Sequence, residues 1–342
     1  MEQKKDNFEM LGDGLVNAFI DTKKLSKDRM KLVLHKTNLT EIEYPNFEYQ
    51  YCQSLKRLLE FGTRVSNRTG IDTLRIDHQY FVLKDIEHNF PRLKGKKVFP
   101  KLALKELLWM LYGRVDIKWL NEHGVTYWDE WQDSCGTIGK SYGYQFRNFN
   151  GTDQIYNLVN DMLYNPFSRR HIVNLWNSSE LNEMVLPPCM YDYHFTIEPK
   201  EDKFIVNLHA HVRSNDSFLG APYDFMFCAW FMKLICKYLN NSLNENKYIC
   251  GDIHYTADDY HLYVNHIEQA KQYIKNVEEN KDFIIDSCCR MEFPSMSLKS
   301  LNFDNYLDWI EINLSKIKVS KNMIGDRIID FEYGKIEAVI AV

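Results

Sequence analysis

Two apolar periodicities interleave along this chain without a repeating rhythm, and that mixture constrains its fold more than any other feature. Tyr51, Leu55, Leu58 and Leu59 recur at helical spacing between Tyr49 and Gly62, and Gly62 supplies a stop. Thr73 to Phe81 alternates instead, as does Phe204 to Val212, where Phe204, Val206 and Leu208 share one face, so both segments read as strands. Leu102 to Tyr112 predicts a strongly apolar helix containing one acid, Glu106, and further helices are predicted over Phe225–Tyr238 and Tyr260–Val277. The Asn-rich stretch Leu239–Lys247 predicts a surface loop. Elements of both kinds with no clean strand–helix–strand alternation predict the α+β class, with one mixed β-sheet flanked by helices in a single large domain.

At about 100–200 residues per domain, 342 residues admit one domain or two. No internal repeat and no Gly/Ser/Pro-rich linker divides them, so residues 49–342 are read as one domain. Residues 1–48, polar and charged with a short helix suggested over Asp28–Leu34, are read as an N-terminal extension. Aromatic residues make up 14% of the chain, which excludes a disordered or fibrous protein. Eight cysteines are too sparse for a disulfide framework, and the start MEQKKDNFEM is charged where an export signal is apolar. The expectation is a cytoplasmic protein with free thiols. Its most apolar run, Phe225–Ile235, is broken by Lys233 and falls far short of the roughly 20 residues that cross a bilayer, so no membrane partner is expected. A net charge of −5 argues against a dedicated nucleic-acid-binding surface, yet permits a local arginine cluster around one phosphate.

Chemistry concentrates at a few positions. Cys189 follows Leu186-Pro187-Pro188, on backbone whose φ is fixed, which suits presentation at a turn or strand start. A lone cysteine is more often a small buried hydrophobe; nearby cations would favour the nucleophilic thiolate. Arginines sit beside small or hydroxyl residues in Asn67-Arg68-Thr69-Gly70, Ser168-Arg169-Arg170 and Arg213-Ser214-Asn215-Asp216, a composition suited to gripping phosphate. Each alone reads equally as a solvated surface segment. Glu106 reads either as a surface acid paired with Lys105 or as a desolvated carboxyl tuned for proton transfer.

Nine segments resemble, in the same order, the motifs of thymidylate synthases: Phe61–Thr73, Phe90–Lys97, Glu106–Trp109, Thr126–Trp131, Tyr142–Phe146, Ser168–Arg170, Leu186–Cys189, Arg213–Asp224 and His261–Gln269. The resemblance runs from about Phe61 to Val342, and leaves residues 1–48 and about Asp282–Arg327 without a firm match. It implies the thymidylate synthase fold, with sheets packed back to back in a homodimer. It also implies transfer of a one-carbon unit from 5,10-methylenetetrahydrofolate to C5 of a pyrimidine nucleotide, with no metal. By this likeness Cys189 is the nucleophile that adds at C6 and turns C5 into an enolate or enamine carbon. Arg213 stabilises the thiolate and binds phosphate with Arg68, while Arg169 and Arg170 reach across from the second subunit. Ser214, Asp216 and Asp224 belong to the substrate site, and His261 and Tyr263 to the sugar 3′-hydroxyl. Glu106 is the general acid/base acting through water, assisted by Tyr142. Trp128, Trp131, Leu186, Gly220 and Tyr223 form the wall for the pteridine, with Lys96, Lys97 and Val342 closing over the folate.

Departures from the family pattern refine this expectation. Thymidylate synthases carry Asn at the position of Asp224, where an amide both donates to uracil O4 and accepts from N3–H. An ionised carboxylate only accepts, so it suits the 4-amino group of cytosine; a buried acceptor without a donor costs about 1–3 kcal/mol. Met190 replaces the His that commonly follows the nucleophile, Val212 a Gln, and Asn67 an Asp. Asp at position 224 is typical of the deoxycytidylate hydroxymethylase branch. Water completing the reaction gives a hydroxymethyl product, and hydride from the folate gives a methyl product. The branch likeness favours water, whereas the tail Ala338–Val342 resembles the synthase tail that excludes it. Hydroxymethylation of dCMP is therefore the leading expectation, with methylation of dCMP or of dUMP as alternatives. The rival classes are a non-catalytic RNA- or partner-binding member of the family and a hydrolase pairing Cys189 with His194.

Overall fold

The computed structural model describes residues 46–281, 288–296, 302–320 and positions 323, 324, 327, 328, 336 and 338; residues 1–45, including the helix suggested over Asp28–Leu34, lie outside the described residues, as does Val342. The helices are α1 (Phe47–Phe61), α2 (Pro100–Leu111), α3 (Ile117–Glu122), α4 (Gly143–Asn148), α5 (Gln154–Tyr164), α6 (Gly220–Leu243), α7 (Ile267–Glu279) and α8 (Phe303–Ile312). The main strands are β1 (Thr63–Val65), β2 (Thr73–Leu83), β3 (Ile172–Asn174), β4 (Met190–Lys200), β5 (Lys203–Asp216) and β6 (Tyr248–Tyr263), ordered β1-β2-β6-β5-β4-β3. β5 and β6 run parallel and the other neighbours antiparallel, so the sheet is mixed and the class is α+β, as the interleaved periodicities predict.

Each predicted element has a local cause. Asn46 caps α1 by accepting the Glu48 N–H at 2.9 Å, and Tyr51, Leu55 and Leu58 are buried on its inner face. Gly62 ends α1 because its N–H bonds Leu58 O, which a Cβ there would meet at 2.4 Å. Along β5, Val206, Leu208, Ala210 and Val212 are buried while Asn207, His209 and His211 are only partly covered, the period of two of a pleated strand. α6 crosses from β5 to β6 through the core: from Phe225 to Ile235 every residue but Lys233 is buried. It packs on α2, where Trp230 Nε1 donates to Pro100 O at 2.9 Å.

Three boundaries differ from expectation. Tyr260–Tyr263 belong to β6, not to a helix. Buried Ile253, Tyr255 and Ala257 alternate with half-covered Asp252, His254 and Thr256, β6 pairs with β2 on one edge and β5 on the other, and α7 begins only at Ile267. The core helix is longer than Phe225–Tyr238, starting at Gly220 with Pro222 in its first turn. It also runs through much of the expected loop to Leu243, where Asn244 adopts the left-handed cap conformation at φ 53°. All eight cysteines are free thiols, and among the described residues no helix is long and apolar enough to span a membrane.

Candidate active site

The site is built where the β4 start, the β5 end and the α6 start meet. Cys189 lies one residue before β4, and its carbonyl accepts the Arg213 N–H at 2.8 Å. The two proline carbonyls then aim the arginine: Arg213 Nε donates to Pro188 O at 2.9 Å and Nη2 to Pro187 O at 3.0 Å, placing Nη2 4.0 Å from Cys189 Sγ. Burial raises the thiol above its ordinary pKa and is the largest influence; Arg213 opposes it, Asp224 reinforces it, and Arg68 pulls it down more weakly. The guanidinium acts in the expected direction, yet desolvation outweighs it.

Tyr142 is buried at the entry to α4, where its Oη accepts the Cys189 N–H at 2.9 Å. Glu106 on α2 is not paired with Lys105, whose Nζ donates to His123 O. Instead Tyr127 Oη donates to Glu106 Oε2 at 2.8 Å and Trp128 Nε1 to Oε1 at 2.7 Å. Burial nevertheless pushes Glu106 up to about 7. Asp224, in the first turns of α6, is likewise raised to about 7, by burial first and the charge of Glu106 second. Cys189, Tyr142, Glu106 and Asp224 thus form one electrostatic group.

Arg68 is exposed in a loop shaped by Asn67, whose Oδ1 accepts Thr69 N–H at 2.9 Å and Thr69 Oγ1 at 2.7 Å. Thr69, Arg68 and Asp216 all act on the Tyr263 hydroxyl, so this loop converges on the end of β6. There His261 Nδ1 bonds Asp259 Oδ1 at 2.8 Å and its ring meets Tyr263 edge-on at 5.3 Å. Ser214 pairs in register with Asp259, and Asp216 Oδ1 caps the turn into α6 by accepting from Phe218 and Leu219 N–H. Arg169 and Arg170 are exposed beyond α5, and among the described residues neither bonds any member of the Cys189 group.

Trp128 and Trp131 meet at 5.8 Å, and Trp128 also packs edge-on against Tyr142. Trp131 Nε1 is buried without an acceptor among the described residues. Tyr223 lies 6.2 Å from Tyr127, Leu186 O accepts from Ser141 Oγ, and Gly220 opens α6 beside Asn215 and Asp224. Lys97 is exposed near Phe99, whereas Lys96 is turned inward: its ammonium donates to Phe218 O and lies 3.8 Å from the Phe218 ring centroid. Burial lowers Lys96 to about 7. Met190 is buried against Cys228, sulfur to sulfur at 3.9 Å.

Tyr127, Asn215, Tyr255 and Asp259 escaped the sequence reading as individual residues. Tyr127 and Asn215 lie inside motifs already noted; Tyr255 carries no local signal, because only the pairing of β5 with β6 brings it beneath α6. A recess of about 430 Å3 lined by Glu87, Lys233 and Lys237 lies elsewhere and includes none of these residues. Among the described residues no group of three or more His, Cys, Asp or Glu side chains is arranged to hold a metal ion.

Cys189 beside Arg213 at the start of β4, with the raised carboxyls of Glu106 on α2 and Asp224 on α6, makes a candidate site for nucleophilic group transfer. The sequence model of the family described as thymidylate synthase matches residues 49–317, which includes much of the stretch after Asp282 that motif likeness left unmatched. A thymidylate synthase from Brachyspira hyodysenteriae (strain ATCC 49526 / WA1) is 36% identical over 244 residues, covering 69% of this chain and 88% of that protein. The chain belongs to the thymidylate synthase family, a family of methyltransferase-type enzymes.

Proposed function

We propose that this protein transfers a one-carbon unit to C5 of dCMP and completes the reaction with water, giving 5-hydroxymethyl-dCMP. Membership establishes a one-carbon transferase acting at C5 of a pyrimidine; the base and the product are our reading. The observation that carries it is Asp224, a carboxyl where a donating and accepting amide would be needed to read uracil.

Cys189 Sγ attacks C6, the sulfur–carbon bond forms as the C5–C6 double bond gives its electrons to C5, and C5 becomes nucleophilic. Arg213, oriented by the two proline carbonyls, favours the attacking thiolate. Glu106, with a pKa near neutrality, holds or releases the proton exchanged with water at C5, and Tyr142 fixes the Cys189 main chain while offering its oxygen beside it. Arg68 and Arg213, joined by the partner subunit's Arg169 and Arg170 in a back-to-back homodimer, bind the phosphate; Ser214 and Asp216 complete that side, and His261 and Tyr263 meet the sugar hydroxyl. Bound 5,10-methylenetetrahydrofolate supplies the one-carbon unit. The Trp131 N–H, without an acceptor among the described residues, and the partly exposed Trp131, Leu186 and Tyr223, backed by the buried Trp128, fit a flat, acceptor-rich heterocycle, with Gly220 at its edge and Lys97 toward the folate tail. Lys96, turned inward onto Phe218, is withdrawn from that role, and Val342, outside the described residues, keeps it by family likeness alone. The reading places the enzyme in the cytoplasm.

Separate incubations with methylenetetrahydrofolate and either dCMP or dUMP test it. Mass analysis finds a gain of CH2O on dCMP if it holds; product from dUMP alone refutes the base assignment. Cys189→Ser abolishes turnover with either nucleotide.

A further inference from the structure

Asp224 is not held by its own helix. Asn215 Nδ2 donates to Asp224 Oδ2 at 2.7 Å, and Tyr255 Oη donates to the same oxygen at 3.0 Å. Asn215 is buried near the end of β5 and Tyr255 is fully buried on β6, so the parallel pair presents two donors to the carboxyl above it. An oxygen whose two lone pairs accept two donors has no favourable place for a proton of its own. Any proton on this carboxyl therefore resides on Oδ1.

We propose that Asn215 and Tyr255 are positioning residues for base selection: by occupying Oδ2 they leave Oδ1 to meet the 4-position of the pyrimidine, and they favour its accepting form. The inference rests on Asp224 being the residue that reads the base. An ionised Oδ1 accepts from the 4-amino group of cytosine, whereas the 4-oxygen of uracil needs a donor, which only a protonated Oδ1 supplies. Base choice thus follows the proton on one oxygen. Burial and the charges of Glu106 and Asp216 favour that proton, and the two neutral donors on Oδ2 oppose it. Cys189, Tyr142, Cys228 and Tyr193 lie in the same field.

Tyr255→Phe removes one donor while keeping the ring, and Asn215→Ala removes the other. Relative kcat/KM for dCMP and dUMP is measured at pH values from about 6 to 9 for wild type, both variants, Asp224→Asn and Asp224→Asn/Tyr255→Phe, with thermal melting to confirm folding. Each single variant lowers the dCMP:dUMP ratio about tenfold and moves the onset of cytosine preference up by about one pH unit, the scale of a lost hydrogen bond to a buried carboxylate. In the Asp224→Asn background the Tyr255 change has no further effect on the ratio. Should Tyr255→Phe not fold, Asn215→Ala carries the same test. A dCMP-preferring wild type whose ratio and pH onset are unmoved in the folded variants overturns the inference. So does an equal Tyr255→Phe effect with and without the Asp224 carboxyl. A wild type that uses only dUMP refutes the cytosine reading itself and this inference with it.

Discussion

The backbone N–H of Cys189 donates to Tyr142 Oη at 2.9 Å, so a tyrosine from one segment fixes the main chain of the candidate nucleophile in another. Tyr142 itself sits at φ 32°, ψ −91°, a backbone conformation costly for a residue with a Cβ. Such a conformation persists only when its surroundings impose it, here the edge-on contact with Trp128 and the bond to Cys189.

Tyr142→Phe keeps the ring and deletes the acceptor. It is expected to lower kcat about a hundredfold, on the scale of lost proton-transfer assistance, with little change in KM for the nucleotide. Steady-state kinetics check this; an unchanged kcat would leave Tyr142 a packing residue only.

Glu106 is raised to about 7, mainly by burial, although Tyr127 and Trp128 both donate to its ionised form. Its protonated and ionised forms therefore coexist near neutral pH. The wild-type pH–rate profile should bend near pH 7, shared with Asp224, which titrates in the same range and feels the Glu106 charge. Glu106→Gln removes the Glu106 contribution to that bend and lowers kcat by about a hundredfold or more. A variant profile that keeps the wild-type shape and rate argues that Glu106 does not handle the proton.

Asp224→Asn restores a group that both donates and accepts, and should move preference toward dUMP by about tenfold or more. Competition between the two nucleotides measures it; unchanged selectivity means that another residue reads the base.

How much of this was legible in the sequence varied with how local its cause was. Local pattern alone leaves Cys189 and Glu106 ambiguous, a cysteine after two prolines and a lone acid in an apolar helix; it is the ordered family motifs that single them out. The β6–α7 boundary has no local marker, since only the turn Val264–His266 separates strand from helix and α7 starts without a side-chain cap; strand pairing decides where it falls. Tyr255 was invisible for a related reason: it meets Asp224 through sheet register, a relation between segments 31 residues apart. Arg213 acts on Cys189 in the direction its sequence position implies, but the burial that outweighs it is invisible in a sequence, which reveals the cation beside a thiol and not how deeply the thiol is enclosed.

The partly covered face of the sheet carries a row of histidines. His209 stacks on His254 at 4.7 Å with planes 10° apart, and lies 5.9 Å from His194. Burial, then His254, His194 and His211, lower His209 from 6.5 to about 4, with Asp192 opposing. A histidine depressed in the folded state withholds a proton that the unfolded chain takes up. Stability contributed by this group is therefore lost as pH falls below about 6.5 toward 4. His209→Gln should flatten the fall in melting temperature on acidification; an unchanged slope assigns acid sensitivity to other groups.

Equal dCMP and dUMP supplied together with methylenetetrahydrofolate in 18O-enriched water separate a cytosine nucleotide completed by water from a uracil nucleotide completed by hydride. The expected products are 5-hydroxymethyl-dCMP carrying 18O and tetrahydrofolate. Formation of unlabelled dTMP from dUMP, with dihydrofolate accumulating and dCMP untouched, would contradict the proposal.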